Sequence, residues 1–410
     1  MPITVLIVDD SHFFQRVLKE IISENKQFTV VGIANDGLEA IEKVRSLRPD
    51  VVTMDYEMPM MDGVTAVREI MSTHPLPILM LSSMTFSGAR ITIDALEAGA
   101  ADFMTKNFAE ISGKGSAIKK RLYDTLSALG QSQLLNRQSS TSELVDKDPP
   151  SLASSNKRTV TSNTVTSNTF SSSVAGKANG TSSSESKKRV MPLQKDRSNG
   201  YEESTKTATS ASHIQRKKNS NLAAAVKIIA IGASTGGPAA LTDLLKGLPE
   251  NFRFPILIIQ HMPQNFTLAF SQRLNKQCEI DVKEAEDGDY IQPGRALLAP
   301  GGKQMIIDKN NKNRVKVTES TAEIHYKPCV DIHFASLSNN YSGSVLGIVL
   351  TGMGSDGCNG ARLLTEKGST IWTQTEDSCV VYGMPMAVDR ANLSSASFNI
   401  QDMTQNLKEL

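Results

Sequence analysis

Three side chains suited to acyl transfer stand just beyond apolar runs in the second half of this chain. Ser234 follows KIIAIG inside a glycine frame, His261 follows PILIIQ, and Asp356 follows VLGIVLTGMG. A serine hydroxyl, an imidazole to take its proton and a carboxylate to orient the imidazole are the parts of nucleophilic acyl transfer. Backbone N–H groups complete the set by holding the oxyanion. The small neighbours of Ser234 suit the strained strand-to-helix turn of a nucleophile elbow. The same turn also suits a phosphate or dinucleotide cradle. Against that reading, GASTGG lacks the G-x-G-x-x-G spacing, and no strand-end acid follows about 20 residues on. Other histidines in this half are weaker candidates. His213 sits in a polar tract, His325 in a polar strand pattern, and His333 in an amphipathic helical pattern that reads as packing.

A second convergence lies near the N-terminus. Asp9 and Asp10 end the run TVLIV, Asp55 ends VVTMD, Ser82 ends ILMLS and Lys106 ends DFMTK. Three carboxylates at one sheet edge repel one another unless a cation binds there, and all-oxygen ligation suits Mg2+. With Lys106 as a second positive charge and Ser82 as a hydroxyl, the set suits phosphoryl transfer to a carboxylate.

These groups meet only if the runs become strands of parallel sheets. The runs are nearly all apolar, as strands buried on both faces must be, and helical patterns separate them. Residues 1–123 read as five βα units, and doubly wound sheets place their ligands at the carboxyl ends of the strands. Residues 223–410 repeat the logic, with a β-hairpin elaboration expected between Glu279 and Val317. The expectation is therefore two α/β domains with doubly wound parallel sheets.

Residues 124–222 read as a disordered linker. From 151 to 220 the chain holds 17 Ser, 9 Thr and 6 Asn, and VTSNT occurs twice in tandem at 160–169. Such a stretch cannot bury enough apolar surface to offset its chain entropy. It also carries a local charge of +8 within a net +1, leaving −7 on the remainder. With only Phe170 and Tyr201 as aromatics and no folded basic motif, it reads as a tether and not a nucleic-acid surface. The 39% hydrophobic content and short apolar runs exclude a spanning helix. MPITVLIVDD has no basic leader pattern, and Cys278, Cys329, Cys358 and Cys379 show no C-x-x-C pairing. A cytoplasmic protein with reduced thiols is expected.

The acids at 9–10, DYEMPMMDG at 55–63, Ser82 and Lys106 together resemble a response-regulator receiver domain, which is flavodoxin-like. The resemblance implies Asp55 as phospho-acceptor and Asp10 and Asp55 as Mg2+ ligands. It also implies Asp9 as a nearby acid and the Glu57 backbone carbonyl as a third protein ligand. Ser82 and Phe103 would form the switch pair, with Ser83 the alternative to Ser82. Asn107 stands where the family has proline after the lysine, which puts the local loop in question. IGASTGGP (231–238), QHMP (260–263), LAPGGKQM (298–305), LTGMGSDG (350–357) and SCVVYGMPMAV (378–388) resemble the chemotaxis protein-glutamate methylesterase catalytic domain. That domain is a Rossmann-like three-layer α/β/α fold. The resemblance implies nucleophile Ser234, base His261 and orienting acid Asp356, with Thr235 and Met353 N–H groups as the oxyanion hole. Implied with it is a phosphorylation-activated esterase that demethylates glutamate γ-methyl esters on chemoreceptors and deamidates glutamines. A histidine autokinase would supply the phosphoryl group, and the esterase site would need no cofactor. The alternative is a phosphorylation-switched binding module whose esterase site is vestigial.

Overall fold

Strands buried on both faces need helices above and below them, and the apolar runs pair accordingly. The computed structural model describes residues 2–82, 85–106, 117–142 and 222–410. In the first domain β1 (Ile3–Val8), β2 (Phe28–Ala34), β3 (Val51–Asp55), β4 (Ile78–Ser82) and β5 (Asp102–Thr105) form one sheet. Its order is β2-β1-β3-β4-β5, and every pairing is parallel. The order reverses beside β1 and β3, so the ends of these two strands border the crevice where such sheets bind ligands. Asp9 and Asp55 stand there.

Helices α1 (His12–Glu24), α2 (Gly37–Leu47), α3 (Gly63–Thr73) and α4 (Phe86–Glu97) connect the strands. Ser11, Asp36, Asp62 and Thr85 cap their N-termini, each side chain accepting from the N–H three residues on. The next helix, α5 (Ala117–Ser142), runs well past the boundary expected at 123. Leu122, Leu126 and Leu129 explain why, since their spacing puts them on one face and all three are buried against the sheet. That short apolar period is hidden among polar residues, so the first part of the expected linker is helical. The tract at 143–221 lies outside the described residues.

The second domain contains β6 (Ile228–Ala233), β7 (Ile256–Gln260), β8 (Asp281–Glu284), β9 (Arg295–Leu298), β10 (Lys303–Ile307) and β11 (Val315–Glu319). It continues with β12 (Val345–Val349), β13 (Thr370–Gln374) and β14 (Ala396–Phe398). Seven of these form a parallel sheet in the order β14-β13-β12-β6-β7-β9-β8. The antiparallel hairpin β10–β11 stands apart as the expected elaboration. The flanking helices are α6 (Gly237–Lys246), α7 (Phe266–Gln277), α8 (Val330–Asn340), α9 (Cys358–Glu366), α10 (Met384–Arg390) and α11 (Ile400–Lys408). All four cysteines are free. Among the described residues no helix is long and apolar enough to cross a membrane.

His333 is a packing residue, as its helical pattern suggested. It is fully buried on α8, bonded through Nδ1 to the Met305 carbonyl at 2.8 Å, and its Nε2 has no hydrogen-bond partner among the described residues. Burial lowers its pKa to about 4 from an ordinary 6.5. The folded value lies below the unfolded one. The stabilisation is therefore complete above pH 6.5 and is lost as pH falls from there towards 4. The loss amounts to about 3 kcal/mol. His333→Gln, which keeps a donor for Met305, is expected to flatten the decline in thermal stability over that pH range, as read by calorimetry. An unchanged slope would show that other groups govern it.

Candidate active site and the acidic edge facing it

Ser234 is the first residue after β6, and its N–H donates to the Thr351 carbonyl at 3.0 Å. The chain then turns sharply into α6 through Gly236, whose φ of 76° is left-handed and costs a glycine little. Gly352 passes so close that an added Cβ would lie 2.8 Å from Ser234 Cβ. These two glycines let the serine project from the sheet edge. Gln260, the last residue of β7, ties the turn to the neighbouring strand by donating from Nε2 to the Ser234 carbonyl at 2.9 Å. The next residue, His261, donates its N–H to the Ala233 carbonyl at 3.1 Å. Serine and histidine thus sit on adjacent strand ends joined by both backbone and side-chain bonds.

His261 Nε2 meets Asp356 Oδ2 at 2.7 Å. Both side chains are nearly inaccessible, at 6% and 3% exposure. A buried carboxylate needs several donors. Asp356 takes them from the N-terminus of α8, where the Val330 and Asp331 N–H groups donate at 2.7 and 2.9 Å and the Cys329 thiol at 3.2 Å. Burial pushes this carboxyl up, but the His261 bond and the Asp331 and Val330 amides outweigh it and hold it below the ordinary range. Cys329 pays the reverse cost, pushed up to about 12 by burial and the adjacent Asp356. His261 Nδ1 is buried and has no hydrogen-bond partner among the described residues. That nitrogen remains available for the proton of a nucleophile. The Tyr326 ring lies parallel to the imidazole, with centroids 4.1 Å apart.

At the acidic edge of the first sheet, Lys106 Nζ bridges Asp9 at 2.7 Å and Asp55 at 2.5 Å. Burial raises both carboxyls, and Lys106 opposes the rise. Oxygens of Asp9, Asp10 and Asp55 lie within 4.8 Å of one another. An open pocket of about 600 Å³ beside them is lined by Asp10, Tyr56, Glu57, Met58 and Pro59. Ser82 is buried, with Thr92 Oγ1 donating to its hydroxyl at 2.7 Å and the Gly88 carbonyl 3.4 Å away. The hydroxyl is thus held towards α4. Ser83 and Asn107 lie outside the described residues.

The two edges touch. The Ala101 carbonyl accepts from the Gly236 N–H at 3.1 Å, and the Thr235 hydroxyl donates to Asp102 Oδ2. Desolvation pushes Asp102 up, offset in part by Arg121 and by the Thr235 bond. Phe103 stacks on Phe266 of α7, with centroids 4.5 Å apart. Arg273 forms a two-pronged pair with Glu97, and Asp94 lies 3.5 Å from it. Met353 and Val380 pack against the cluster that holds Leu122, Leu126 and Val381. Every residue singled out at 234, 261 and 356 is brought to one edge. Sequence reasoning missed Tyr326, Cys329, Asp102 and Arg273. The proximity of YKPC to Asp356 has no signature in spacing, and an interface pair has none in either partner's own segment.

Fold and sites together define a receiver-linked α/β hydrolase. The family model described as CheB methylesterase matches residues 229–407, and that described as Response regulator receiver domain matches residues 5–113. A protein-glutamate methylesterase/protein-glutamine glutaminase of Saccharophagus degradans is 45% identical over 407 residues, spanning 99% of each chain. A similarly named protein of Pseudomonas syringae pv. syringae is 46% identical over 411 residues, with 100% of this chain and 99% of that one covered. The solved CheB methylesterase catalytic domain of Thermotoga maritima is 34% identical, covering 45% of this chain and 98% of its own, with a TM-score of 0.44. The chain belongs to the CheB methylesterase family of response regulators.

The stacked phenylalanines make the interface measurable. In a double-mutant cycle of Phe103→Leu and Phe266→Leu, urea unfolding of the full chain is expected to show a coupling of about 1 kcal/mol. Strictly additive losses would mean that the two rings do not meet in solution.

Proposed function

We propose that the chain hydrolyses γ-methyl esters of receptor glutamates from the edge carrying Ser234, His261 and Asp356. The observation that carries the reading is the buried His261–Asp356 pair beside the elbow, with Nδ1 left open. Ser234 Oγ attacks the ester carbonyl while its proton passes to His261 Nδ1. Asp356 stabilises the imidazolium so formed, and the Thr235 and Met353 N–H groups hold the oxyanion. The carbon–oxygen bond to the methoxy group breaks as Nδ1 returns the proton, and methanol leaves. Water then takes the place of the serine in a second pass and releases glutamate. An amide is also an acyl donor, so receptor glutamine would give glutamate and ammonia by the same steps.

Residues 1–142, with α5, act in this reading as the receiver and 223–410 as the esterase, joined by the tract at 143–222. Asp55 accepts a phosphoryl group from a chemotaxis histidine kinase, in the cytoplasm, where the receptor helices also lie. Asp9, Asp10, Asp55 and the Glu57 carbonyl would hold Mg2+. The close set of hard oxygen donors, one of them exposed, fits that ion. When bound, the ion supplies positive charge against the phosphoryl oxygens. Lys106 supplies the second such charge, and Ser82 and Phe103 report the change. The contacts of Ala101, Asp102 and Phe103 with the elbow and α7 support a receiver that covers the catalytic edge until it is phosphorylated. A binding module with a vestigial site would keep these contacts but release no methanol.

Methanol release from a methylated receptor fragment tests the chemistry. Ser234→Ala is expected to lower the rate by about 10³-fold or more, and Asp356→Asn to leave more activity than that. Near-normal turnover by Ser234→Ala would end the assignment. For the switch, Asp55→Asn is expected to abolish labelling by a small phosphodonor with Mg2+. Phosphate recovered on another residue of the unmodified chain would contradict it. For occlusion, Arg273→Glu places like charge against Glu97 and Asp94. It is expected to raise the activity of the unphosphorylated full chain several-fold, whereas no rise would count against interface control.

A further inference from the structure

The reaction above needs His261 to become an imidazolium between two fixed neighbours, and only one of them, Asp356, belongs to the triad. The other is Tyr326. Its ring lies over the imidazole at 4.1 Å between centroids and 7° between planes. An aromatic face carries the negative lobe of its quadrupole and attracts a cation more than a neutral ring. The contact therefore strengthens as the proton arrives. An interaction that is stronger in the transition state than in the ground state accelerates the chemical step.

The placement of Tyr326 is built. Gln304, buried on β10, donates from Nε2 to the Tyr326 carbonyl at 2.9 Å and accepts from the Cys329 N–H at 2.9 Å. One side chain of the hairpin thereby fixes both the stacked tyrosine and the start of the Asp356 cradle. On the far side, a Cβ added to Gly354 would lie 3.2 Å from the Tyr326 hydroxyl. The ring thus spans from the imidazole to the loop that follows Met353. Tyr326 is 36% exposed while the His261 side chain is 6% exposed, so the tyrosine shields the base from water. Low water content around the ring strengthens the attraction further.

We propose that Tyr326 is a positioning residue that holds the His261 ring plane and stabilises its imidazolium form during acyl transfer. The proposal rests on the triad reading. Ser234 Oγ forms a bond to the ester carbon as its proton moves to Nδ1, and the same proton leaves on methanol. Tyr326 exchanges no proton or electron in this sequence. Its contribution lies in the aromatic face and not in the hydroxyl.

The test uses the full chain, phosphorylated with a small phosphodonor and Mg2+, and follows methanol release from a methylated receptor fragment. Tyr326→Leu keeps apolar bulk without a π face and is expected to lower kcat about tenfold with KM within about twofold of the parent. Tyr326→Phe keeps the face and is expected to hold kcat within about twofold of the parent. Thermal melts of both variants establish that each is folded. A parental kcat in Tyr326→Leu overturns the proposal. So does a Phe variant as slow as the Leu variant, which would move the effect to the hydroxyl. A raised KM with unchanged kcat would make Tyr326 a substrate contact and would also overturn it. Failure of the underlying reading has its own signature. Ser234→Ala would then turn over at the parental rate, and the assignment of Tyr326 would fall with it.

Discussion

A carboxylate with 3% of its side chain exposed must be surrounded by donors or give up its charge. Asp356 keeps its charge because the first turn of α8 supplies two amides, Cys329 a thiol and His261 its Nε2. Those amides are among the unsatisfied donors that every helix N-terminus carries, so one buried charge and one helix end satisfy each other. The consequences spread outward. α8 is anchored at the mouth of the sheet. Asp331, drawn into the same turn, accepts from the Gly357 and Gly360 N–H groups and anchors the start of α9. The imidazole is held by one nitrogen, and the other has no hydrogen-bond partner among the described residues.

The same economy governs the contact between domains. Four residues in and beside β5 face different tasks. Ala101 and Asp102 bind the elbow, Phe103 stacks on α7, and Lys106 joins Asp9 and Asp55. In the proposed reading, a phosphoryl group on Asp55 would first change the charge balance around Lys106, which bridges Asp9 and Asp55. β5 is short, so only five residues separate Lys106 from the contact of Ala101 with the elbow. Coupling between the sites needs only that the phosphorylated and unphosphorylated receivers differ in their affinity for the catalytic edge. The bonds of Thr235 and Gly236 to the receiver are where that difference would be felt, since they belong to the turn that presents Ser234.

Most of the fold was legible because buried parallel strands carry their own signature. VVTMD and ILMLS coincide with β3 and β4, and the other runs differ from their strands by a few residues at the ends. Strand ends then point to the site, since Ser234, His261 and Asp356 each follow a buried run. The reach of α5 was not legible, because Leu122, Leu126 and Leu129 are interspersed with charged and polar residues and make sense only against the sheet they cover. Contacts made across domains were equally hidden. Nothing in the segment AADFMTK shows that Ala101, Asp102 and Phe103 face another domain while its last residue faces Asp55.

Which imidazole nitrogen does what is also beyond the reach of sequence, and it decides how the site works. Backbone bonds fix His261 at the end of β7, and Asp356, in the loop after β12, is held by the first amides of α8, so one strand end and one helix end select Nε2 for the carboxylate. Nδ1, the nitrogen nearer its own backbone, is then directed by a ring that cannot turn freely. Rotation would break the bond to Asp356 and slide the imidazole out from under Tyr326. In the proposed reading, a base with two neighbours fixing its plane would lose little entropy on taking the proton, because the ordering was already completed when the chain folded. The cost of that order is borne by Cys329 and Asp356, buried groups that would be poor choices in any site without a helix end to support them.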